Sequence, residues 1–78
     1  MPTLLFSGPY RFFIYSIDCK EPPHVHVERD DCVAKVWLTP IKLQSAGGFK
    51  RSEINRILRL VNEHRDELMR GWDEHCGH

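Results

Sequence analysis

Polar and apolar positions alternate along the first part of the chain and then fall into a helical period. His24-Val25-His26-Val27 carries the clearest alternation. On a strand, successive side chains point to opposite faces, so both imidazoles stand on one face and both valines on the other. The valines read as core, and the histidines as side chains left open for chemistry. Residues 3–6 predict an edge strand, followed by turn chemistry at Ser7-Gly8-Pro9. Residues 10–17 are rich in aromatic and β-branched side chains and predict a central strand. Residues 18–23 predict a loop, whose Pro22-Pro23 exit forces an extended approach to His24.

Asp30-Asp31 separates two β-patterned runs. A two-residue hairpin loop needs positive φ, which Asp tolerates better than most residues. With that loop, Arg29 faces Cys32, Val27 faces Ala34, His26 faces Lys35 and His24 faces Trp37. One face then carries Val25, Val27, Cys32, Ala34, Val36 and Leu38. The other carries His24, His26, Glu28, Lys35 and Trp37. A slip of one residue would mix them. Thr39-Pro40 breaks the strand, residues 41–44 form a short last strand, and Ser45-Ala46-Gly47-Gly48 is a connector.

From Phe49 onward the period changes. Ile54, Ile57, Leu58, Val61, Leu68, Trp72 and Cys76 recur at helical spacing. They predict an amphipathic helix over residues 50–76, kinked or split near 62–65, where Arg65 enters the stripe. Phe49 and Ile54 sit at the separation of a hydrophobic staple if Lys50 is the N-cap, with Glu53 reaching back as in a capping box. Gly71 weakens the last third. The pattern therefore predicts one α+β domain. A β-meander over residues 1–45, three to five mainly antiparallel strands, is followed by a long C-terminal helix packed on its valine face.

The chain has 78 residues, which limits it to one domain with a small core. Eleven basic side chains balance eleven acidic ones, which argues against a strongly electrostatic nucleic-acid binder. Residues 1–52 carry the slight basic excess, so any anion-binding surface is expected there. No apolar run approaches the roughly 20 residues that span a bilayer, and the start lacks the features of a signal peptide. Cys19, Cys32 and Cys76 are an odd number at no metal-finger spacing. They predict inert small hydrophobes in a reduced, cytosolic setting.

Three chemistries compete for His24 and His26. Side chains at i and i+2 on a strand are about 6.6 Å apart at the backbone, close enough to share a metal ion. A third ligand is then required. Glu28 lies about 13 Å from His24 along the strand. His64, or the tail residues His75, Cys76 and His78, would have to fold across. Lys35 beside His26 also disfavours a second cation. No metal or other cofactor is therefore expected, with His24 and His26 the candidates if one is bound. Phosphate chemistry is the second option, because two histidines and a lysine can hold an anion and pass protons. His24, His26 and Lys35 are the catalytic candidates for it. The run is similar to the His-x-His-x-His signature of histidine-triad nucleotide hydrolases, with Glu28 in the third position and a chain short for that fold. The third option is a contact surface, formed by His24, His26, Glu28, Lys35 and Trp37, with Tyr15 and Phe13 joining if their strand is in register. Such a face can stack bases or meet a protein. His64 and the charges Arg56, Arg59, Glu63, Asp66, Glu67 and Arg70 read as a solvated helix surface. The tail His75-Cys76-Gly77-His78 offers adventitious metal binding only.

Longer stretches carry a resemblance. Tyr10-Arg11-Phe12-Phe13, Glu21-Pro22-Pro23-His24-Val25-His26-Val27-Glu28-Arg29, Ala34-Lys35 with Trp37-Leu38, and Gly48-Phe49 before the helix resemble a bacterial family of unknown function, the one numbered 4160 among such domains. The resemblance covers nearly the whole chain. It departs at Asp30, where Gly is usual, and at Lys50, where Ser is usual, which leaves the turn and cap details open. The resemblance supplies no catalytic residues. It implies a protein partner, because members are often encoded beside another small protein, as in a toxin–antitoxin-like pair. The expected function is a small cytosolic binding module acting through that partner, with RNA or DNA as a further contact and a homodimer left open. The alternative is a small phosphodiesterase or ribonuclease using His24 and His26.

Overall fold

The computed structural model describes residues 2–77. Five strands form one antiparallel sheet in sequence order: β1 (Thr3–Ser7), β2 (Tyr10–Phe13), β3 (His24–Arg29), β4 (Cys32–Leu38) and β5 (Ile41–Ser45). Two helices follow, α1 (Arg51–Glu63) and α2 (Arg65–Cys76). The expected α+β sheet-then-helix architecture is the observed one, with the helical segment divided in two at His64.

The β3–β4 register is the one implied by a two-residue loop, with His24 opposite Trp37, His26 opposite Lys35 and Arg29 opposite Cys32. Asp30 takes the positive φ, at 54°. The helix-facing side of the sheet carries Phe12, Val25, Val27, Ala34, Val36 and Leu38, all fully buried. Against them pack Phe49, Ile54, Ile57, Val61 and Leu68. Gly47 passes so close to β4 that a Cβ there would overlap the Val33 carbonyl, and its φ is +60°. Gly71 has a packing reason as well, since a Cβ there would meet Leu4 Cδ2 at 2.9 Å.

Two local expectations differ from the structure. β2 ends at Phe13 and not near residue 17. Ser16–Lys20 forms a short 3₁₀ helix, because the Asp18 carboxylate accepts the Tyr15 N–H at 2.8 Å and turns the chain. Glu53 does not cap α1 through Lys50. It accepts hydrogen bonds from Arg29 Nη2 and the Tyr10 hydroxyl, both at 2.8 Å, and so ties the helix to the sheet.

That triad sets part of the acid limb of stability. The hydrogen bond from Arg29, then that from Tyr10, holds the Glu53 carboxyl below its ordinary value of 4.5. A carboxyl lowered on folding stabilises the protein above the unfolded value, and the contribution is lost as pH falls through the lowered folded value. Glu53→Gln should therefore flatten urea-midpoint profiles below about pH 4.5. An acid limb unchanged in the variant would show that the triad contributes nothing.

Candidate functional site

The first turn of β3 brings the candidate residues to one end of the sheet. His24 and His26 stand on the same side of β3, as the alternation requires, but not on an open surface. His24 is completely buried and His26 half-buried. Two elements close over them. The Trp72 ring on α2 lies 5.1 Å from the His24 ring. The 3₁₀ segment folds Tyr15 to 4.9 Å from the His26 ring and buries Asp18 between the two histidines. The expectation of solvent-facing histidines is thus overturned by packing across the end of the sheet, while the strand register stands.

Asp18 is the residue that strand reasoning missed. Its Oδ2 lies 3.0 Å from His26 Nε2 and 3.2 Å from His24 Nε2. His26 is aligned for a hydrogen bond to it, whereas His24 Nε2 has no hydrogen-bond partner among the described residues. His24 Nδ1 lies 2.9 Å from the Pro22 carbonyl. A carbonyl only accepts, so Nδ1 carries the proton. Burial pushes the Asp18 carboxyl up, but the Tyr15 N–H and the two imidazoles outweigh it, and the net displacement is below the ordinary value. Burial pushes His26 below its ordinary value, with Asp18 opposing. The one sequence signal for Asp18 was its place in a short loop stiffened by Pro22-Pro23, which returns the chain directly to His24.

The other candidates are placed differently. Lys35 Nζ bonds Glu21 at 2.7 Å and lies 4.8 Å from the Trp37 ring centre. Its charge is already compensated. Glu28 bonds Arg11 at 2.9 Å and does not join the histidines. Trp37 packs edge-on against His24 at 5.4 Å and, with Pro22, Pro23, Thr39, Pro40 and Lys42, lines a groove of about 170 Å³. Tyr15 is exposed at its edge and packs on Phe13 and His26. His64 sits at the junction of the helices, 3.5 Å from Glu67. Among the described residues, Asp18, His24 and His26 form the cluster with metal-ligand spacing, and neither His64 nor the tail belongs to it. His78 lies outside the described residues.

Two cysteines are not inert hydrophobes. Cys19 and Cys76 form a disulfide that joins the 3₁₀ segment to the end of α2, beside Asp18. Cys32 is a half-buried free thiol. No helix of the described residues is long and apolar enough to cross a membrane.

The family model described as a domain of unknown function (DUF4160) matches residues 10–73, most of the chain. Neither the curated proteins nor the solved structures contain a match to it.

Proposed function

We propose that this chain, which belongs to the DUF4160 family of unknown function, is a small binding module that acts through a partner protein, as one half of a toxin–antitoxin-like two-gene system. The observation that carries the proposal is the groove of Pro22, Pro23, Trp37, Thr39, Pro40 and Lys42 beside β5, an edge strand of the sheet. An edge strand presents unpaired backbone groups to a second chain, and an apolar groove beside it takes the anchoring side chain. Lys42 at the rim suits an acidic neighbour of that anchor. The partner segment is therefore extended, with one bulky apolar residue next to an acidic one.

Nucleic acid has less support as the main contact. Three cations of the sheet are internally paired, Arg11 with Glu28, Arg29 with Glu53 and Lys35 with Glu21, which leaves Lys42 at the groove rim. A phosphodiesterase or ribonuclease has less support still, since His24 has no solvent contact and Lys35 is compensated. The cytosolic location expected from the sequence has less support, because a disulfide such as Cys19–Cys76 persists best in oxidising compartments.

The test is co-expression with the protein encoded next to it. Wild type should co-purify with that protein. Trp37→Ala should weaken the complex by at least about 2 kcal/mol, roughly 30-fold in Kd, as expected for an aromatic anchor. Lys42→Glu should weaken it as well. Absence of a complex, or a complex indifferent to both substitutions, would remove the proposal.

A further inference from the structure

Asp18, His24 and His26 come from two separate stretches of chain, the 3₁₀ segment and β3, yet their ligand atoms all lie within 4.8 Å of one another. With the Nδ1 proton of His24 committed to the Pro22 carbonyl, Nε2 of the neutral ring is a bare lone pair. That atom is buried and unpartnered among the described residues, and the oxygen 3.2 Å from it is a carboxylate acceptor. Two acceptors facing each other away from water repel. The conflict is resolved by a cation between them, either a second ring proton or a metal ion.

We propose that Asp18, His24 and His26 form a binding site for one divalent transition-metal ion of zinc's chemical class. Donor atoms around a tetrahedral ion with bonds of about 2.0–2.1 Å stand about 3.3 Å apart. The two separations from Asp18 Oδ2, 3.2 and 3.0 Å, are close to that spacing. An imidazole that donates its other ring proton to a carbonyl has the tautomer and orientation of a metal ligand. Two imidazole nitrogens with one carboxylate suit zinc and its neighbours, whereas magnesium and calcium prefer a shell of oxygens. The Nε2 proton that His26 donates to Asp18 in the metal-free protein is released to water or moves to Nδ1 as the ion binds. The third ligand that His24 and His26 require is supplied by Asp18. The positive charge of Lys35, which would oppose a metal, is held by Glu21 at 2.7 Å. The frame is stiff on both sides. Pro22-Pro23 fixes the carbonyl that orients His24, and the disulfide of Cys19 anchors the residue next to Asp18. Three protein ligands leave a fourth position for water or another ligand atom.

Isothermal titration of the oxidised, chelator-treated protein with Zn²⁺ should give one ion per chain. In NMR spectra, Zn²⁺ should shift the imidazole resonances of His24 and His26 and leave those of His64 and His75 in place. Asp18→Asn and His26→Gln should each weaken binding by at least about 100-fold, the upper end of what loss of a supporting residue costs. Circular dichroism checks that each variant is folded. If Asp18→Asn is not, His26→Gln and the wild-type spectra decide. The proposal is overturned by the absence of saturable binding, by affinity unchanged in His26→Gln, or by shifts at His64 or His75 instead. It is equally overturned by a doubly protonated His24 whose resonances ignore Zn²⁺.

Discussion

Reduction of Cys19–Cys76 is expected to remove about 4 kcal/mol of stability, the chain-entropy value for a ring of this size. The two cysteines are 57 residues apart, so the bond encloses most of the chain and restricts the unfolded ensemble strongly. A domain of this length has roughly 4–12 kcal/mol in total. The reduced protein should therefore keep only roughly 0–8 kcal/mol and unfold at a clearly lower urea concentration. Urea unfolding with and without dithiothreitol is the measurement, and Cys19→Ser should reproduce the effect of the reductant. Cys32→Ser, which breaks no bond, is the control. A midpoint indifferent to reductant would mean that α2 and the 3₁₀ segment are held by packing alone.

Trp72→Ala should cost about 3–5 kcal/mol, as for other large aromatic truncations in a core. The side chain is 1% exposed and closes the end of the sheet over His24. In a domain of this size each kcal/mol moves the Tm by about 4–8 °C, so a fall of more than about 12 °C is expected. Trp37→Ala should move the Tm far less, since that ring is half-exposed at the groove. Equal shifts in the two variants would contradict the placement of α2 over His24.

The sheet was legible because its cues are local. Asp30-Asp31 between alternating runs implies the register of β3 and β4, and with it which side chains share a face. The period change at Phe49 marks where strands end and helices begin. Arg65 inside the apolar stripe marks the region where the helix breaks. The candidate site was legible only in half. Alternation puts His24 and His26 together, but whether they meet solvent depends on what crosses the end of the strand. Asp18 reaches them through the 3₁₀ segment, and Trp72 arrives from a helix far along the chain. The partner of Cys19 and the partner of Lys35 were hidden for the same reason. Both pairings are long-range, and no periodicity connects their members.

The sequential order of the strands has a consequence for the newly made chain. Each strand pairs with its immediate predecessor, so the whole sheet can assemble from local pairings before the helices dock. During that interval Phe12, Val25, Val27 and Val36 have nothing over them, since their cover comes from Phe49 onward. The exposed strand of greatest hazard is β5, the last to form and still an edge in the finished sheet. A chain whose helices have not yet docked is thus a sheet with a bare apolar side, the state most prone to stick to its own copies. Rapid arrival of α1 is what protects the protein at birth.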